Sequence, residues 1–298
     1  METPKPNPKD DLFTVEYGYR KEWRAFAARH SEFTRRFGNI AKAIDVAFQR
    51  TYRTTGPTER TIYFLGRLAV EEFMEILLLC ANGYGIGAQK LLRGMFERAV
   101  TARYLFKHPD EVDNYLAFHR VADYKFLNAV QSSMGDGVLS QEQAEQIKRD
   151  FEAVKARFMV PDCRTCKTTR LNYTWSRADV VSMARESEDL WRFIVPAYYQ
   201  PTREFHSTIG AIFSRLDADA AARNEGLIFD GAAQRDRADE AIITAHTILL
   251  NVLDLQRDCF HIRELEPLLQ TCCEDFRTIL REQAETAKDG LQNRETSR

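Results

Sequence analysis

The chain has 298 residues, 44% hydrophobic and 29% charged, the balance of a globular protein long enough to bury a sizeable core. Its 42 Lys and Arg against 44 Asp and Glu exclude a globally basic nucleic-acid binder and a strongly cationic membrane-surface protein. Six cysteines in a chain this long, behind an N-terminus (METPKPNPKDD) with three prolines and no apolar run, lead to the expectation of a soluble, cytoplasmic protein with reduced thiols, no signal peptide and no anchor.

Residues 1–14 read as a flexible arm. From Tyr17 to Arg50 the residues Trp23, Phe26, Phe33, Phe37, Ile40, Ile44 and Phe48 recur at helical spacing on a basic segment, which Thr54-Thr55-Gly56-Pro57 ends. A second helix is predicted over Thr58 to Ala81. Its Arg67, Glu71, Glu72 and Glu75 are too many charges for a membrane span. Asn82-Gly83-Tyr84-Gly85 then turns the chain into a helix from Ile86 to Phe106. There Leu91, Leu92, Met95, Phe96, Ala99, Val100, Ala102, Tyr104 and Phe106 spread over more than half the circumference. A helix this apolar belongs at the centre of a bundle, touched on several sides.

Further helices are predicted over Asp110 to Met134 and over Ser140 to Phe158, the latter opened by Ser140 and Gln143 as a capping box. Others run from Ser176 and Asp179 to Phe193, from Pro201 to Leu216, from Ala232 to Ile262 and from Leu265 to Thr286. Residues 159–175 read as an irregular loop and 288–298 as a polar tail; there is no strand pattern and no internal repeat. The expected fold is all-α, an antiparallel multi-helix bundle of long helices in a single domain over 15–287.

Two cations interrupt the apolar arc of the central helix. Arg93 falls among Gln89, Phe96, Val100 and Tyr104, and Arg103 beside Ala99 and Phe106. An unpaired buried charge is costly, so each requires a carboxylate or must reach outward. Glu97 lies one turn after Arg93. Glu72, flanked on its own helix by Leu65, Leu68, Ile76 and Leu79, is the expected partner for Arg93 or Arg103 across the antiparallel pair. His206 sits at the edge of an apolar face made by Phe205, Ile209, Ile212, Phe213 and Leu216, within expected reach of Arg93, Glu97 or the Tyr198-Tyr199 pair. Metal chemistry is not expected. No paired Glu-x-x-His motifs occur, and Cys163-x-x-Cys166 is a single pair with no second pair or nearby histidine, read as an incidental loop pair. No phosphate loop, nucleophile elbow or dinucleotide fingerprint is present, and no cofactor is expected.

The run LLRGMFERAVTARYLFKHPDEVDNYLAFH, followed later by WSRADVVSMARE and AYYQPTREFHSTI, resembles the helical family catalogued as domain of unknown function 5677, over roughly residues 60–260. The resemblance implies an all-helical bacterial protein in which Arg93, Glu97, Tyr199 and His206 occupy the matching positions, and it implies no established activity. The expected function is therefore a binding, regulatory or structural helical module with Arg93, Glu97, Glu72 and His206 in one buried polar network, and with a homodimer as one expected state. The alternative is a HEPN-like metal-independent ribonuclease or related hydrolase of a toxin or defence system, the one reading that calls for nucleic acid. In it Arg93 would stabilise phosphate charge and His206 would transfer protons. The in-line candidate, Arg24 with His30, has Ala25 where that logic needs a polar residue.

Overall fold

The computed structural model describes residues 20–48, 56–135, 137–162, 168–206, 209–216, 226 and 228–296, the side chains of Arg20 and of 285–296 excepted. The N-terminal arm and the Cys163/Cys166 pair lie outside the described residues. Among the described residues the α-helices in chain order are α1 Arg20–Arg29, α2 Ser31–Phe48, α3 Pro57–Ala81, α4 Gly85–Lys107, α5 Val112–Ala117, α6 His119–Met134, α7 Gln141–Lys155, α8 Val180–Arg185, α9 Glu188–Trp191, α10 Gln200–Phe205, α11 Ile209–Phe213, α12 Arg235–Phe260 and α13 Leu265–Thr296. A π-helical turn, Val195–Tyr199, leads directly into α10.

The fold is all-α, and α4 is its centre. Leu92, Met95, Phe96 and Leu105 are fully buried, and α4 packs against α3, α12, α8, the π-turn and α10. In the same core cluster lie Phe73 and Ile76 of α3 and Ile242, Ile248 and Leu249 of α12, all fully buried. This is what the near-circumferential apolar pattern of α4 requires: a helix apolar on most sides has to be covered on most sides.

The outer helices are fixed to this core by polar contacts. His30, wholly buried where the chain turns between α1 and α2, has Nε2 2.7 Å from Asp239 Oδ1 on α12. Gln283 Nε2 of α13 donates both to Arg29 O (3.0 Å) and to His30 Nδ1 (2.9 Å), so Nδ1 accepts and Nε2–H donates to the aspartate. Arg29 adds two hydrogen bonds to Asp239. Burial raises the Asp239 carboxyl, but the His30 and Arg29 bonds outweigh it and hold the group below its ordinary value. Arg235 grips buried Glu22 through two bonds of 2.8 and 2.6 Å, tying α12 to α1.

Several expected elements are broken. The helix over Tyr17–Arg50 divides at His30, and the one over Asp110–Met134 becomes a 3₁₀ turn (Pro109–Glu111), α5 and α6. Residues 159–175 contain a short antiparallel hairpin, Met159–Pro161 against Thr169–Leu171, too brief for any alternation to show in sequence. The helix over Pro201–Leu216 stops at His206, whose backbone is extended (φ −85°, ψ 151°), and resumes as α11. The capping box at Ser140 and Gln143 forms with both reciprocal bonds. The last helix continues to Thr296, ten residues beyond Thr286. Among the described residues no helix is long and apolar enough to cross a membrane.

Candidate functional site

On α4 the face toward the π-turn and α10 carries Gln89, Arg93, Phe96 and Glu97. Arg93 Nε donates to Glu97 Oε1 at 2.8 Å, one helical turn on, and its guanidinium lies 4.8 Å over the ring of Tyr198. The pair is half-buried (26% and 37% exposed) and not sealed in the core. The π-turn places Tyr198 on α4, with Phe96 at 6.4 Å, and leaves Tyr199 exposed with its ring perpendicular to that of Tyr198. One turn below Arg93, buried Gln89 donates to Glu240 Oε2 (2.9 Å), which also accepts from Gln200 of α10 (3.0 Å).

The remaining predicted residues separate. Glu72 pairs with neither Arg93 nor Arg103: its Oε1 accepts from Arg98 Nη1 at 2.5 Å. Arg98 shares the α3-facing side of α4 with Gly94, whereas Arg103 points at α12, where it meets Asp254 (3.3 Å), Asp258 (3.9 Å) and the Asn251 carbonyl (3.5 Å). Burial pushes the Glu72 carboxyl up to about 7, and its Oε2 is buried with no hydrogen-bond partner. His206 is exposed at the end of α10. Among the described residues it makes no hydrogen bond or ion pair with Arg93 or Glu97. The break in the helix turns it outward, so the composite Arg–Glu–His site is not assembled.

Beside the Arg93 band lies a feature that the sequence did not indicate. Tyr198 sits against Arg93, Gln200 joins Gln89 through Glu240, and Glu204 lies near the start of α4, so α10 runs antiparallel to α4. Where α10 passes the first turn of α4, a cleft of about 520 Å³ opens, lined by Leu79, Tyr84, Ile86, Gly87, Lys90, Glu204, Ala211, Arg215 and Gln234. Its floor depends on a close approach. Gln234 N donates to Gly83 O (3.0 Å) and Ile86 N to Gln234 Oε1 (2.8 Å), and a Cβ at Gly85 would stand 2.4 Å from Gln234 O. Glu204 is buried and fixed by Ser214 Oγ (2.9 Å), and the Arg215 guanidinium lies 4.9 Å over Phe229. Lys90 is exposed and has no carboxylate partner among the described residues. A second cleft of about 450 Å³, between α9, α12 and α13, contains Arg257 already matched by Asp254 (2.8 Å), Asp258 (2.7 Å) and Glu266 (2.9 Å). The cleft at α4 has, among the described residues, a cation without a carboxylate partner, a helix N-terminus and a fixed carboxylate. No single motif encodes it, because its lining comes from five separated segments.

Compared with known proteins, the chain matches the model of the family of unknown function DUF5677 over residues 61–223, from α3 to just beyond α11. That span contains every cleft residue except Gln234. No curated protein and no solved structure matches.

Proposed function

The chain belongs to the family of unknown function DUF5677, and from that premise we propose that it is a binding module that takes a small anion-bearing ligand in the cleft at the start of α4. The observation that carries this is the Lys90 ammonium, without a carboxylate partner among the described residues, in a solvent-open cleft of about 520 Å³. Arg215 adds positive charge at the same place, and the first turn of α4, whose Ile86 N–H is held by Gln234 Oε1, directs the positive end of its dipole toward the cleft. Glu204 and Gln234 supply an acceptor and an amide to orient the ligand's neutral polar groups. Arg93, Glu97 and Tyr198 act as a clamp that sets α10 against α4 and so fixes the width of the cleft.

Thermal melting of the full chain with inorganic phosphate and with succinate, each against chloride at equal ionic strength, tests the reading. At least one of the two anions is expected to raise the Tm, and Lys90→Glu, exposed and outside the packing, is expected to abolish that rise without lowering the Tm of the free protein. Equal melting in all three salts ends the proposal. Incubation with single-stranded RNA in the same buffers separates this reading from the hydrolytic one, since a binding module leaves the RNA at full length.

A further inference from the structure

The segment after α10 is amphipathic in sequence, and its apolar face would be expected to pack inward. It does not. Because the helix breaks at His206, Phe205 (61% exposed), Ile209, Ile212 and Phe213 (62% exposed) all project into solvent. Phe229 joins them. An isolated antiparallel bridge pairs Leu216 with Phe229, Asp230 N donates to Arg215 O (2.6 Å), and Phe229 is itself exposed.

These five side chains offer roughly 600 Å² of apolar surface, taking about 100–150 Å² from each. The largest apolar patch on an ordinary monomer is about 300–600 Å², and a standard stable interface takes about 800 Å² per partner, rim included. The face therefore has the size of an interface core.

We propose that this α10–α11 face is the contact between two copies of the chain. From Phe205 to Phe213 the sequence is FHSTIGAIF, without a single Lys, Arg, Asp or Glu. Along that stretch two copies meet across a twofold axis without bringing like charges together, and the charge at its edge, the Arg215 guanidinium, is stacked on Phe229. The formal net charge of the chain, −2, leaves little long-range repulsion between copies. The face adjoins the anion cleft through Ala211 and Arg215 but does not depend on what the cleft holds.

Sedimentation equilibrium of the full chain over a range of concentrations tests this. The wild type is expected at twice the 34.5 kDa chain mass, and Ile209→Glu and Phe213→Glu at the chain mass with unchanged helical circular dichroism. If a glutamate variant loses its helical signal, Ile209→Ser and Phe213→Ser replace it, with a weakened dimer as the expected result. A wild type at chain mass throughout overturns the proposal, as does a folded variant that stays dimeric as tightly as the wild type. Either result leaves the anion-binding reading untouched, because the melting assay reads a different group.

Discussion

Glu72 on α3 occupies space that a side chain at Gly94 on α4 would fill. A Cβ built on Gly94 would stand 2.5 Å from Glu72 Oε1 and 3.0 Å from the Arg98 guanidinium. The missing methyl group is what lets this carboxylate reach Arg98 across the most extensively packed helix pair of the fold.

Gly94→Ala is therefore expected to destabilise the protein. Alanine gains about 1 kcal/mol of helix propensity, but overpacking costs about 1–3 kcal/mol and disruption of a largely buried pair adds to it. Urea unfolding of the variant should show a net loss of stability. A gain would mean that Glu72 moves aside at no cost.

Glu72→Gln tests the charge itself. The folded carboxyl titrates near 7 because burial disfavours its ionised form, while the unfolded value is 4.5. Between these values the native state holds a proton that the unfolded state has released, so stability falls as pH rises through that window. Relative to the wild type, the glutamine variant should therefore gain stability as pH rises from 4.5 through 7, and the falling contribution should vanish.

His246 works in the opposite direction. It is buried on α12 among the rings of Phe33, Phe73 and Phe276, and its Nδ1 has no partner. Burial lowers its pKa from 6.5 to about 4. Over that window the unfolded chain takes up a proton that the native state refuses, so stability is lost as pH falls. His246→Phe should remove this acid sensitivity and gain about 1 kcal/mol or more by deleting an unsatisfied buried nitrogen.

The two groups overlap between about pH 4.5 and 6.5, where their slopes oppose each other. Their joint contribution to the wild-type pH profile should be nearly flat in this range. Relative to the wild type, Glu72→Gln should tilt the profile upward with pH and His246→Phe should tilt it downward. Denaturant midpoints at pH 4.5, 5.5 and 6.5 would decide it; parallel profiles for the three proteins would refute the compensation.

Arg93→Met removes a half-exposed ion pair with Glu97 and the stacking on Tyr198 while keeping an apolar stem. The expected cost is about 1 kcal/mol, because partly exposed pairs are screened and a guanidinium–aromatic contact contributes about 0.5–1 kcal/mol at such sites. If the pair only clamps α10 to α4, the variant should bind anions in the cleft more weakly yet still respond to Lys90→Glu. A variant with unchanged affinity would remove the clamp from the account.

The helical class, the central place of α4, the Ser140–Gln143 cap and the Arg93–Glu97 contact were all legible in the sequence, the first two from periodicity along whole segments and the last two from residues one turn apart on a single helix. Family membership was legible for the same reason, being carried by short contiguous runs. That Glu72 meets Arg98, that Arg103 turns to α12, that His206 faces out and that a cleft opens beside Lys90 emerges from the packed chain alone. Those outcomes depend on the rotation of one helix against another and on a break after Phe205 that no proline or glycine at that point announces. Helical periodicity fixes which residues share a face; which neighbour that face meets is set by packing the whole chain at once.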